Sequence, residues 1–422
     1  MDAASKDVLI VDKLQSLEAN DAAAAADSEE EEFHPIKNMQ VSYFSIPMAI
    51  GGLAVALKVA GDWVEQWAQA ALGSVGIHID VAILLPEDLD TIKDAWWHTF
   101  GMAAFCIYLI LFVLLLFKLL LFPSELLKEW NCPVRNNFFV YIFTPMHAVS
   151  FLVYDIGHNN LWDPARFARA LWWMGAVPIA LLTFVRVGSW LSPQSTIAAK
   201  DVTPAWMLTP TANLLAGLVA VAMPILPHHE AGVNGHTPFN TELFGQSSSS
   251  HEIASFFFMI GCFLWVVLFA ATFFATVTST LTTKTARSTS FFYLMPPCLA
   301  GLGYLAINLA KATDKIAVVA TFAGTFYLAA ALLGSLFFTA LLSIGNEFAT
   351  SYKFDMSHWN YCFPLDCVAA SASMYYQLSG FKIAFALKVI CFFLAFAANV
   401  ICTVQTAAGI VTQRNVFIPE RL

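Results

Sequence analysis

Ten apolar stretches, each long enough to cross a lipid bilayer as a helix, follow one another along the chain. The whole sequence is 58% hydrophobic and only 12% charged, about half the charged share of an ordinary soluble protein. The sequence therefore predicts an all-α integral membrane protein with ten transmembrane helices. Their approximate limits are residues 39–59, 97–122, 137–156, 168–191, 205–226, 252–278, 289–310, 316–344, 358–378 and 381–406.

Prolines divide these stretches into two alternating sets. The even-numbered stretches contain only Pro178. Each odd-numbered stretch has at least one proline, and a proline frees a backbone carbonyl that must find water or a neighbouring helix. We therefore predict five hairpins in a pseudo-fivefold ring, with the odd helices lining a central pore and the even helices outside. The predicted bends in the pore helices lie at Pro47, Pro145, Pro210, Pro297 and Pro364.

The segments that flank this region are short and polar. Residues 1–37 form an acidic tail in which Ser28, followed by Glu29, is a candidate kinase site, whereas 38–406 form the transmembrane domain and 407–422 a short C-terminal tail. The segment 227–251 contains no Lys or Arg, which favours an external location. With an even number of spans, this orientation predicts that both termini are cytoplasmic.

Asp366 is the most unusual residue of the apolar region. A carboxylate at the centre of a membrane helix costs roughly 2.5–3.5 kcal/mol on insertion scales, so it usually faces protein or water. Lys388 lies on the next span, which makes an ion pair between the two a candidate arrangement. Asp366 and Lys388 are thus candidates for proton or ion coupling, with a purely structural pair as the alternative. Phe363 lies three residues before Asp366 and shares its helix face.

Four segments carry a family resemblance. They are "VSYFSIPMAIGGLAVAL" (41–57), "TPAWMLTPTANLLAG" (203–217), "FFYLMPPCLAGLGYLA" (291–306) and "WNYCFPLDCVAA" (359–370). They resemble, in order, the first, fifth, seventh and ninth helices of the tellurite-resistance/dicarboxylate transporter family. That family includes bacterial TehA, the yeast malate permeases and sulfite pumps, and the slow-type anion channels of plants. The resemblance covers approximately residues 38–406.

This resemblance implies a ring of ten helices, anion permeation through its pore, and a homotrimer. It also implies that a phenylalanine of the ninth helix plugs the pore, and by motif position this residue is Phe363. Asp366 departs from the family pattern, which commonly has a small or neutral residue there. We expect a multi-pass protein of the plasma membrane, rather than of an organelle membrane.

Two transport functions fit these features. The first is movement of small anions such as chloride, nitrate or malate through a phenylalanine-gated pore. The alternative is proton-coupled transport of a dicarboxylate such as malate, or sulfite export, with Asp366 accepting the proton. A non-transport membrane protein is a third reading, but no catalytic motif, cofactor-binding motif or metal-ligand spacing supports an enzyme. No basic patch indicates nucleic-acid binding.

Overall fold

The computed structural model describes residues 34–60, 88–156, 164–192, 201–222, 248–278, 289–309, 354, 356–379 and 381–411, together with Gly324, Ala331 and Gly334. The predicted span 316–344 lies outside the described residues except at those three positions. The acidic tail up to residue 33, including Ser28, and residues 412–422 also lie outside them.

The described residues are helical almost throughout. The helices, numbered in chain order, are α1 (Pro35–Asn38), α2 (Ser45–Ala60), α3 (Asp88–Leu121), α4 (Pro123–Asn131), α5 (Pro145–Ile156), α6 (Pro164–Leu191), α7 (Leu208–Ala222), α8 (Ser248–Thr278), α9 (Met295–Leu309), α10 (Trp359–Ser379) and α11 (Lys382–Val411). Within the described part of the chain, eight helical segments are long and apolar enough to cross a membrane. Helix α10 has the length but a more polar sequence, with Asn360, Asp366 and three serines.

Burial separates the spans into the two predicted sets. In the spans that contain α2, α5, α7 and α9, between 67% and 89% of the most apolar window is buried inside the protein. In the spans of α3, α6, α8 and α11, the buried share is only 22% to 39%. The helices of the odd-numbered spans are therefore internal, and those of the even-numbered spans present their side chains outward, which suits contact with lipid.

The inner helices form a closed ring. Helix α2 packs against α5, α5 against α7, α7 against α9, α9 against α10, and α10 against α2 again. Each outer helix packs mainly on its own inner partner, as in the antiparallel pairs α2–α3, α5–α6, α7–α8 and α10–α11. The predicted membrane fold of helical hairpins around a central axis is confirmed, with four of its five hairpins among the described residues.

Most of the predicted bend prolines lie at the start of an α-helix rather than in its interior. A 3₁₀ segment precedes each inner helix, namely Val41–Phe44, Arg135–Ile142, Pro204–Met207, Ser290–Leu294 and Met356–His358. Four of the predicted bend prolines then fall within the first three residues of the α-helix that follows: Pro47, Pro145, Pro210 and Pro297. The N–H groups of a first turn have no intrahelical acceptor, so a proline there breaks no hydrogen bond.

These four prolines therefore lie at the junction between a 3₁₀ segment and an α-helix, and bends of the pore helices at these positions stay a prediction. Pro364 differs, because it lies inside α10. It cannot donate to the carbonyl of Asn360 one turn earlier, so it remains the one predicted bend with a physical cause in the described helix. The prolines were visible in the sequence, but their helical register was not.

A buried ion pair anchors the chain segment that precedes the first inner helix. Lys118, near the end of α3, contacts Glu129 of the short helix α4 with 2.5 Å between Nζ and Oε1. The second oxygen of Glu129 accepts a hydrogen bond from the backbone N–H of Val41 at 3.1 Å. Lys118 also donates to the carbonyl of Met39. The pair thus ties an outer helix to the chain segment that leads into the first inner helix.

Candidate functional site

The five inner helices enclose a cavity of about 370 Å³. Every one of them contributes side chains to its wall, so the cavity lies on the axis of the ring. Most of the wall is aliphatic. The lining residues are Met48, Gly52, Val55, Val59, Ala148, Phe151, Leu215, Leu218, Val219, Leu299, Leu302, Leu305, Ala306, Phe363, Asp366, Cys367, Ala370, Met374 and Gln377.

Large apolar side chains line one end of the cavity. Met48, Leu299 and Phe363 line it and lie within the first two turns of their helices. The Phe363 side chain is only 4% exposed. At the opposite end, the Gln377 amide donates to the carbonyl of Val59 at 2.8 Å and joins the last turns of α10 and α2.

Phe363 lies against a glycine on the facing helix. A Cβ atom added at Gly52 would come within 2.8 Å of the Phe363 ring atom Cδ2. Carbon atoms in ordinary contact stand about 3.5–4.0 Å apart, so only glycine leaves room for the ring in this position. The structure therefore places Phe363 in the cavity wall, with its ring against the backbone of α2.

Asp366 lines the same cavity one turn further along α10. It is the one acidic residue among the described lining residues, which include no Lys or Arg, and it is only 1% exposed. Its Oδ1 atom accepts a hydrogen bond of 3.0 Å from the Asn399 amide. Its Oδ2 atom is buried and has no hydrogen-bond donor among the described residues. A Cβ atom at Gly52 would stand 3.0 Å from Oδ2, so this oxygen faces α2 and the cavity.

The predicted pair of Asp366 with Lys388 does not form. Helices α10 and α11 run antiparallel from a tight connection, and this register brings Asn399 beside Asp366. Lys388 lies eleven residues before Asn399 on α11 (399 − 388), which is about 16 Å along an α-helix. Its Nζ atom instead lies 5.3 Å from the ring centre of Tyr376. Lys388 is buried, but it does not line the cavity.

Sequence reasoning missed two residues of this site, Asn399 and Gly52. Asn399 is a lone amide within the apolar stretch "AFAANVIC", and polar residues are rare enough in membrane helices to deserve notice. Its amide also donates to the carbonyl of Ala395 at 3.0 Å. Gly52 lies inside the quoted segment 41–57, and its role depends on the side chains of another helix.

Two other polar residues of the inner region lie away from the cavity. His147 is fully buried on α5 and lies against Trp172 and Gly175 of α6. Arg186 of α6 donates to the carbonyl of Asn136 at 2.8 Å, and its guanidinium stands 4.2 Å from the ring centre of Trp130. Neither side chain lines the cavity, so the polar character of the cavity wall rests on Asp366 and Gln377.

Comparisons with known proteins agree with this geometry. The model of the SLAC1 family, described as voltage-dependent anion channel, matches residues 38–407. The S-type anion channel SLAH2 of Arabidopsis thaliana is 25% identical over 280 residues, which cover 66% of this chain and 44% of SLAH2. The S-type anion channel SLAH3 of the same plant is 22% identical over 281 residues, or 66% of this chain and 37% of SLAH3. The matched region spans less than half the length of either relative.

Proposed function

This chain belongs to the voltage-dependent anion channel family, and we propose that it conducts small anions, such as chloride or nitrate, along the axis of its ring. In this proposal Phe363 is the gate. The observation that carries it is the Phe363 ring in the wall of a cavity shared by all five inner helices, packed against α2 at Gly52. A narrow apolar constriction opposes ion passage because the ion must shed water that nothing in the wall replaces.

The test is anion flux into proteoliposomes that contain the purified full chain. Phe363→Ala removes the ring and should raise chloride and nitrate flux by at least tenfold. The matched control is Phe263→Ala on outer helix α8, whose side chain is 69% exposed and contacts no part of the cavity wall. Unchanged or lower flux through correctly inserted Phe363→Ala protein would remove Phe363 from the gate.

A second function is favoured by one observation, the buried carboxyl group of Asp366 in the cavity wall. In this alternative the protein is a carrier that moves a dicarboxylate such as malate, or exports sulfite, together with a proton on Asp366. Reversal potentials separate the two functions. A channel reverses at a potential set by the anion gradient alone, whereas a coupled carrier also responds to an imposed pH gradient.

We further propose a plasma-membrane location, cytoplasmic termini, a homotrimer, and kinase control through Ser28. The first two rest on the family match and on the segment 227–251, which contains no Lys or Arg. The trimer rests on the family resemblance. Chemical crosslinking of the full chain in native membranes would test the trimer, and phosphate mapping of the tail would test Ser28.

A further inference from the structure

The two carboxyl oxygens of Asp366 have different surroundings. Oδ1 is held from α11 by the Asn399 amide at 3.0 Å, and Asn399 is itself anchored to the Ala395 carbonyl. Oδ2 has no donor among the described residues and faces Gly52 across the cavity wall. One oxygen is thus fixed by the protein, whereas the other is buried without a donor against Gly52, a residue that also lines the cavity.

We propose that Asp366, in its neutral acid form, is an anion-binding group that donates a hydrogen bond from Oδ2 to the permeating ion, and that Asn399 is the residue that positions it. This inference rests on the proposed anion conduction and adds a binding site to it. The ligand class is a small anion with an accessible acceptor atom, such as a halide, nitrate or a carboxylate.

Charge supports the neutral form as the working state. An ionised Asp366 would repel an anion a few ångströms away in surroundings of low dielectric constant. No cation on the described parts of the packed helices faces it: Lys58 of α2 lies over Trp97, and Lys388 of α11 lies over Tyr376. The other described titratable groups near the carboxyl are thiols, those of Cys298, Cys362 and Cys367.

Hydrogen-bond chemistry explains how a carboxyl group can serve an anion. A protonated carboxyl has one O–H donor, whereas the ionised form only accepts. The Asn399 N–H bond occupies Oδ1 as an acceptor, so a proton taken up by the group is best placed on Oδ2. The donor then points into the cavity, where an anion that has lost water on passing the apolar wall has few other partners.

Gly52 places this donor beside the gate. The same virtual Cβ that would meet Oδ2 at 3.0 Å would meet the Phe363 ring at 2.8 Å. The ring and the carboxyl oxygen therefore share one small space opposite the backbone of α2. An ion that passes Phe363 would meet the Oδ2 donor within the same turn of α10.

The experiment measures chloride and nitrate flux through the reconstituted full chain between pH 5 and pH 8. Wild-type flux should rise as the pH falls, because the donor exists only in the acid form. Asp366→Asn carries a permanent amide donor, and its flux should not depend on pH. Asp366→Leu carries no donor, and we expect its flux to be at least fivefold below that of wild type at pH 5.

Asn399→Ala tests the positioning role without touching the carboxyl itself. Loss of an N–H donor that favours the ionised form should move the midpoint of the pH profile upward. The matched control is Asn213→Ala on α7. Asn213 is a buried amide that likewise donates to the carbonyl four residues earlier and to a side chain on an outer helix, and its loss should leave the midpoint unchanged.

The outcomes separate this site from the proposed function. If wild type moves anions and Asp366→Asn keeps the wild-type pH profile, the anion-binding role of Asp366 is overturned while anion conduction stands. If Asn399→Ala shifts the midpoint no more than Asn213→Ala does, Asn399 has no positioning role. Absence of anion flux in correctly folded wild type would overturn the proposed function, and this inference with it.

Discussion

A methyl group added at Gly52 should push the Phe363 ring away from α2. In Gly52→Ala the new Cβ would stand 2.8 Å from Cδ2 of Phe363 and 3.2 Å from Cβ of Asp366. Carbon atoms in contact prefer at least about 3.5 Å, so the ring must move by roughly 0.7 Å.

Overpacking of this kind costs about 1–3 kcal/mol. The clash is with the ring in the position that the structure shows, which is the blocking position in the proposed function, so the strain disfavours the blocked state. Chloride flux should then rise by up to roughly 5- to 150-fold, because each 1.4 kcal/mol is a factor of ten. The assay is chloride flux in proteoliposomes, with protein content matched by quantitative blotting. Thermal unfolding in detergent shows how much of the strain is expressed as lost stability.

The neighbouring glycine offers a matched control. In Gly51→Ala the new Cβ would meet only the Cβ of Ala148 at 3.3 Å and that of Ala104 at 3.8 Å, away from Phe363. Its flux should stay within about twofold of wild type. A double-mutant cycle with Phe363→Ala then isolates the coupling, since the methyl group should change the flux less once the ring is gone. Equal flux in the two alanine variants would refute this steric reasoning.

The remaining predictions concern stability, measured as the free energy or midpoint of unfolding in detergent. Glu129→Ala leaves Lys118 buried without its carboxylate and should cost about 3–5 kcal/mol. Glu125→Ala, which removes a partly exposed ion pair on the same helix, should cost less than about 1 kcal/mol, and similar losses in the two would contradict the special role of the buried pair. Thr406→Val removes the acceptor of the Trp359 indole N–H at 3.0 Å and should cost about 1 kcal/mol; no measurable loss would show that this bond adds nothing to the α10–α11 contact.

Much of the architecture followed from the sequence because the bilayer restricts what a chain can form. Apolar stretches of about 20 residues must be helices there, so the order of the described spans was readable. The alternation of proline-rich and proline-poor stretches predicted the inner and outer sets, which the burial of the helices confirms. The helical position of the prolines was not readable, because four of them lie in the first turn of α-helices that follow 3₁₀ segments.

The partners of individual side chains were not predictable in the same way. Asp366 and Lys388 are both buried on one hairpin, and charge alone favoured pairing them. Helix register decides instead, and it brings the Asn399 amide to Asp366 while Lys388 lies beside Tyr376. The role of Gly52 likewise depends on which face of α2 meets α10. To predict such contacts, one must know the rotation and offset of the packed helices, and neither hydropathy nor proline spacing gives these.

Current recording across a planar bilayer tests the central claim most directly. A bilayer that contains the full chain would separate two solutions of unequal chloride concentration at equal pH, with an impermeant cation on both sides. The account predicts a current that reverses at the chloride equilibrium potential and grows in Phe363→Ala without a change in that potential. A current that is absent from both proteins, or one that ignores the chloride gradient, would contradict anion conduction through the five-helix cavity.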